Sequence, residues 1–168
     1  VAAVSDLLDP LAHAIWARSL LAHILQTDDT GLTVIDDKHS GGSKRGHIWC
    51  YLGDKRWASY VYTPTWSGDG PCEFLQDRVG WVQADAYRGY DALFSAPDAR
   101  AIEVGCWAHT RRGFVNALER DKRAAIAVKL IRDLYAIEHD ATERGLDAEG
   151  RKALRADRAP PILADLVK

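Results

Sequence analysis

The chain has no run of about 18 apolar residues, which excludes a helical membrane span. It has no basic leader before an apolar stretch, so no secretory signal is expected. Cysteine is scarce: the three present, Cys50, Cys72 and Cys106, are an odd number and widely spaced. That excludes a disulfide framework and fits a reducing compartment, so a cytoplasmic protein without a membrane partner is expected. The net charge of −2 supplies no overall attraction for nucleic acid. Any such contact has to come from local basic patches. No internal repeat is found. What remains is a chain of 168 residues, 47% hydrophobic and 27% charged. Those values suit one globular domain, or one domain with an appendage.

Hydrophobic periodicity orders the chain. Val4, Leu8, Leu11, Ile15 and Ala22 fall near one face of a helix predicted over 4–22, with a kink or restart at Pro10. Residues 23–35 turn β-like, with a bulge expected at Gly31. The polar, glycine-rich stretch 36–46 reads as a loop. Aromatic and β-branched residues at 47–52 and 58–63, joined by Gly53-Asp54-Lys55-Arg56, predict a hairpin that ends at Pro64. A short helix is predicted at 71–77, a strand at 79–84, a helix at 86–94 and a strand at 101–106. From Trp107 onward the pattern is helical. Ile126, Leu130, Leu134, Ile137 and Ala141 mark one helix face, and a turn at Pro160-Pro161 precedes a last amphipathic stretch.

Within that order, two β-like runs end on an acid. The first is Ile24-Leu25-Gln26-Thr27-Asp28-Asp29-Thr30 and the second Gly80-Trp81-Val82-Gln83-Ala84-Asp85. A sheet can aim two strand-end carboxylates at one point, and such a pair can hold a divalent metal for phosphoryl transfer. Each acid also has a plainer reading. Aspartate is common in turns, and Asp85 suits the N-cap of the helix predicted after it. Three antiparallel strands followed by alternating helices and strands match a ribonuclease H-like α/β arrangement with a mixed sheet. In that arrangement the first and fourth strands are neighbours, which would bring Asp28 beside Asp85.

Four segments carry a family resemblance. Thr27-Asp28-Asp29-Thr30 resembles the Ala-Asp-Glu-Thr segment of the insertion sequence 66-type transposases. Val82-Gln83-Ala84-Asp85-Ala86-Tyr87-Arg88-Gly89-Tyr90 is similar to their second-aspartate motif. Cys106-Trp107-Ala108-His109-Thr110-Arg111-Arg112-Gly113-Phe114 resembles their Cys-Trp-Ala-His-x-Arg-Arg-Lys-Phe block. Leu134-Tyr135-Ala136-Ile137-Glu138 resembles the Leu-Tyr-x-Ile-Glu segment that follows. The matches run in order across most of the chain.

The resemblance implies a DDE-type transposase core on a ribonuclease H-like fold, cutting and joining DNA phosphodiesters. It implies Asp28 and Asp85 as catalytic, metal-binding carboxylates for Mg²⁺ or Mn²⁺. The partners it implies are DNA, at transposon ends and targets, and further transposase chains. Asp29 stands at the family's glutamate position, as a neighbour rather than a ligand. Trp66 stands where the family usually has arginine. The family's third carboxylate, in a Gly-Gly-Glu-Arg-like motif, has no counterpart before Lys168. The expected organisation is an N-terminal helical segment (1–22), a partial catalytic core (23–110) and a truncated helical insertion (111–168). The chain alone is then expected to fold marginally and to lack strand transfer, unless Glu138 or Glu143 supplies the third acid. The rival readings are a nuclease of ribonuclease H-like type and an inactive DNA-binding or helix-packing fragment.

The remaining motifs weigh less. Cys106 and His109 supply two ligands where a structural zinc needs four, so both are expected to be buried packing residues. Arg111 and Arg112 near a helix start oppose the helix dipole, which favours a phosphate-binding role. Lys44 and Arg45, in the loop read over 38–47, are further candidates for nucleic-acid contact. The six tryptophans are expected mostly in the core.

Overall fold

The structure, a computed structural model, describes residues 2–167. The chain divides into two compact units, Val1–Cys106 and Trp107–Lys168.

The first unit is a mixed α/β layer built on a five-stranded sheet. Helix α1 (Ala2–Leu20) leads into β1 (Ile24–Ile35), β2 (Ser43–Gly53) and β3 (Trp57–Thr63), an antiparallel meander. Helix α2 (Asp69–Leu75) and strand β4 (Gly80–Ala84) follow. A 3-10 turn (Arg88–Tyr90) then runs into α3 (Asp91–Ser95), and β5 (Ala101–Gly105) closes the unit. The sheet order is β3-β2-β1-β4-β5, with β4 parallel to β1 and to β5. Period-two alternation puts Leu25, Trp49, Tyr51, Val82 and Ala84 on one face, where Leu75, Tyr90 and Ala101 complete the core. On the opposite face Ile24, Trp81 and Ile102 stand in register across three strands and remain 40–47% exposed.

Several expectations are corrected here. The β1–β2 register runs unbroken from Leu25–Gly53 to Ile35–Ser43, so Gly31 makes no bulge. It pairs with His47, and a Cβ there would meet the Arg45 guanidinium. The loop is shorter than its composition suggests, because residues 43–46 find ladder partners on β1 and extend β2. Residues 86–94 form no single helix. Ala86 has φ 64°, and the helical path begins only at Arg88. In α1, Val4, Leu7, Leu8 and Leu11 are all more than half exposed, and the chain passes through Pro10 without leaving the helix. The helix is anchored by its last turn instead.

That anchor is polar and close. Ser19 is fully buried, and its hydroxyl lies 2.8 Å from the Ser59 hydroxyl and donates to the Trp57 carbonyl. A Cβ on Gly53 would come within 2.9 Å of the Ser19 Cα, so the hairpin can approach the helix only with glycine there. The hairpin's own turn puts Asp54 (φ 50°) and Lys55 (φ 55°) in the left-handed region. The Asp54 carboxylate accepts from the amides of His23 (3.0 Å) and Ile24 (2.9 Å). Those bonds hold its pKa below the usual aspartate value. On the other side, the guanidinium of Arg78, 2% exposed, donates to the carbonyls of Leu20, His23 and Trp81, each at 3.0 Å, and to that of Val79. One cation thus satisfies a C-terminal carbonyl of α1 and carbonyls at the starts of β1 and β4.

The second unit is helical: α4 (Trp107–Ala117), α5 (Ala124–Glu143) and α6 (Ala148–Leu166). The expected face of α5 holds from Leu130 onward, with Leu130 and Leu134 partly buried, and fails only at its first residue. Ile131, Ile137 and Ala141 are buried, whereas Ile126 is 64% exposed. Helix α6 starts on an Asp147 cap, whose side chain accepts from the Gly150 amide, and continues through Pro160 and Pro161. The expected turn is absent. Each proline removes one helical donor, and the helix is held to α5 by ion pairs instead. Glu138 accepts from Arg155 (2.6 and 2.7 Å) and Arg151 (3.1 Å), and Asp140 accepts from Arg158 at 2.6 Å.

Two outcomes are expected. Removing Arg78 as Arg78→Ala leaves buried carbonyls without their donor, so urea unfolding should show a loss of about 3 kcal/mol or more. Arg78→Lys should recover only part, because an ammonium cannot reproduce the planar fork. The bond from Arg155, then that from Arg151, holds the Glu138 pKa below its ordinary value. A depressed carboxylate contributes stability above its unfolded pKa and loses it as pH falls through the folded one. Glu138→Gln should therefore cost about 0.5–1 kcal/mol at pH 7. The gap from the parent should close in acid; a gap unchanged at pH 3 on the same urea curves would count against the ion pair.

Candidate metal centre

The register of β1 on β4 builds the site. The pairs Ile24–Trp81, Leu25–Val82 and Gln26–Gln83 share one offset of 57 residues (81 − 24). The same offset separates Asp28 from Asp85. Pairing ends at Gln26–Gln83, where the side-chain amides bond at 2.6 Å. Two residues further along, on the same face, stand the two aspartates. Oxygens of Asp28 and Asp85 lie within 4.8 Å of each other, with Asp28 exposed and Asp85 partly exposed. Asp28 Oδ1 accepts from the Asp29 amide at 3.0 Å, and Asp85 Oδ1 accepts from the Tyr87 amide at 3.1 Å. Asp85 thus caps a tight turn through Ala86 rather than the helix expected after it. The donor chemistry fits a hard divalent cation: two carboxylate oxygens, close together and open to water, are what Mg²⁺ or Mn²⁺ takes.

Asp29 faces the other way. It opposes Trp49 across the ladder, and His47 is its diagonal neighbour on β2. Its Oδ2 lies 2.7 Å from His47 Nδ1, and its Oδ1 accepts from Trp66 Nε1 at 3.1 Å. Trp66 stacks on Tyr87 with centroids 4.6 Å apart and planes at 14°. The Tyr87 hydroxyl donates to the Trp66 carbonyl at 2.7 Å. Burial, then the carboxylates Asp29, Asp69 and Asp85, raise the Tyr87 pKa, so the phenol keeps its proton. Burial likewise raises that of Tyr90, whose hydroxyl lies 2.9 Å from Thr27 Oγ1. This network escaped the sequence reading. Its one legible signal is period two: the residue after an outward Asp28 must point inward, and an inward carboxylate needs donors.

The other candidates lie on other elements. Lys44 and Arg45 lie on β2, not in a loop. Lys44 is ion-paired with Asp36 at 2.8 Å, and Arg45 is exposed over Gly31. Arg111 and Arg112 are exposed on α4, in the second unit. Cys106 and His109 are partly buried. Glu138 is committed to Arg151 and Arg155, and Glu143 lies 3.3 Å from His139. Of the tryptophans, Trp49 is in the core at 1% exposure, while Trp66, Trp81 and Trp107 are 40–54% exposed. Among the described residues, no helix is long and apolar enough to cross a membrane.

Comparison with known proteins gives the chain its relatives. An uncharacterized protein, y4hP, of Sinorhizobium fredii (strain NBRC 101917 / NGR234) is 30% identical over 183 aligned residues, covering 94% of this chain and 32% of that protein. A second uncharacterized protein of the same strain, y4qI, is 27% identical over 142 residues, covering 76% of this chain and 26% of that protein. The chain therefore spans a third or less of the length of these relatives. No solved structure matches it. The family model described as Transposase IS66 family matches residues 1–168. With the whole chain inside that match, this protein belongs to the IS66 transposase family.

Proposed function

We propose that this chain contributes the first two metal-binding carboxylates, Asp28 and Asp85, of a transposase that cuts and joins DNA phosphodiesters. One observation carries the reading: the parallel β1–β4 register sets the two acids on one sheet face with oxygens within 4.8 Å. The strand order β3-β2-β1-β4-β5, with three antiparallel strands and then two parallel ones, supports a ribonuclease H-like core. Family membership supports DNA as the substrate and a divalent metal as the cofactor.

The chemistry follows from charge. Two carboxylates this close repel, and a bound cation would remove that cost. Bound there, Mg²⁺ or Mn²⁺ would activate an attacking oxygen and stabilise the leaving one in an in-line displacement. Asp28 and Asp85 would hold and orient the ion. The backbone amides of Asp29 and Tyr87 each take one carboxylate oxygen and so restrict the aim of each side chain. Arg45, Arg111 and Arg112 are exposed and would be free to meet phosphate, and Lys44 would do so at the expense of its Asp36 pair.

Calorimetric titration with Mn²⁺ tests the site. Asp28→Asn and Asp85→Asn each remove one anionic ligand and should weaken binding about tenfold or more. Parental affinity in both variants would remove the proposal. For DNA, Arg111→Ala with Arg112→Ala should weaken duplex binding evenly across sequences. The slope of log K against log salt should fall by about one for each phosphate the pair no longer neutralises; an unchanged slope would take these arginines off the interface.

A further inference from the structure

We infer that Trp66 and Tyr87 are positioning residues for Asp85, an aromatic clamp that holds its carboxylate toward Asp28. The inference rests on the reading of those two acids as metal ligands. Asp85 lies one residue beyond the end of β4, so no ladder bond fixes its direction. Directly after it, Ala86 takes φ 64°, a left-handed conformation that disfavours any residue with a Cβ. Such a conformation persists where its surroundings over-determine it. Here they do. The turn returns the Tyr87 amide to Asp85 Oδ1 at 3.1 Å. Tyr87 is in turn fixed twice by one residue: its ring stacks on the Trp66 indole, and its hydroxyl donates to the Trp66 carbonyl.

Trp66 is tied to the opposite strand. Its indole N–H donates to Asp29 Oδ1, and its ring lies nearly parallel to that of His47, which holds the other Asp29 oxygen. Asp29 is the chain neighbour of Asp28. A continuous set of contacts therefore runs from the residue beside one metal-binding acid to the turn that carries the other. The loop backbones are locked together as well. A Cβ on Gly68 would strike the Gly89 backbone, with the Gly89 Cα at 2.6 Å, and Cys72 Sγ donates to the Gly89 carbonyl at 3.1 Å. Trp66 is 54% exposed, so these ordered contacts are not a product of core packing. Its removal opens no buried cavity, which makes the clamp separable from the fold.

Removing a supporting group of this kind changes metal affinity about 10–100-fold. The test is Mn²⁺ titration of the 168-residue chain, by calorimetry and by the Mn²⁺ electron paramagnetic resonance spectrum, beside a thermal melt. Trp66→Ala should bind Mn²⁺ about tenfold more weakly while its melt stays cooperative. Trp66→Phe, which keeps a ring for Tyr87, should recover part of the affinity. Tyr87→Phe, which keeps the ring and drops the hydroxyl, should weaken binding to a smaller extent. Parental affinity in Trp66→Ala overturns the clamp. Should that variant fail to fold, parental affinity in Tyr87→Phe overturns it instead. Weak binding in Asp28→Asn with parental affinity in both aromatic variants leaves the metal site standing and removes the clamp. Parental affinity in Asp28→Asn and Asp85→Asn removes the site itself, and the clamp with it.

Discussion

The parallel pairing of β1 with β4 is the constraint on which the rest of the first unit depends. Only three residue pairs make it, Ile24–Trp81 through Gln26–Gln83, yet they set which face every later residue of both strands occupies. Because side chains alternate with period two, a slip of one residue would turn one aspartate into the core and leave the other outside. Apolar burial guards against that slip. Leu25 and Val82, paired directly, are both fully buried, and exposing either would cost about 1.5–3 kcal/mol. The core face thus determines the geometry of the polar face.

Short pairing needs support at its ends, and it comes from polar groups. At the entry to β1, Asp54 takes two amides from one side while Arg78 takes carbonyls from the other. Both are charged groups that bond to backbone rather than to each other. Backbone dipoles cannot be titrated away over the ordinary pH range, and they fix chain direction as well as position. At the far end, where ladder bonds stop, the Asp29–His47–Trp66–Tyr87 network takes over. The acids therefore sit in a short gap between two anchored ends, where carboxylates can approach without backbone atoms between them.

The helical unit is held differently. Its apolar contact is modest: Ile131, Ile137 and Ala141 are the buried hydrophobic residues of α5 apart from Ala124 at its start. Arginines at 151, 155 and 158 reach back from α6 to Glu138 and Asp140. Spaced at four and three residues, they lie along one helix face, so each reinforces the same docking. Beyond that network α6 continues through Pro160 and Pro161, where local propensity alone would end a helix.

The sequence by itself determined the order of elements, the apolar core strands and the two acids at strand ends. These are local properties: period two in 47–52 and 79–84, the turn residues around Asp54, and the position of Asp28 and Asp85 after apolar runs. It also carried the family pattern, residue by residue. It misjudged features whose outcome rests on a distant partner. Residues 43–46 look like a loop until β1 offers them ladder bonds. Residues 86–94 look like one helix until Tyr87 is drawn to Trp66 and Ala86 turns left-handed. Val4, Leu8 and Leu11 look like a buried face until the anchor proves to be Ser19. Arg78 carries no signal at all, because its four carbonyl partners come from three separate segments. Only the tertiary structure decided which charges meet, since hydrogen bonds and ion pairs act over a few ångströms and depend on contacts that no local pattern records.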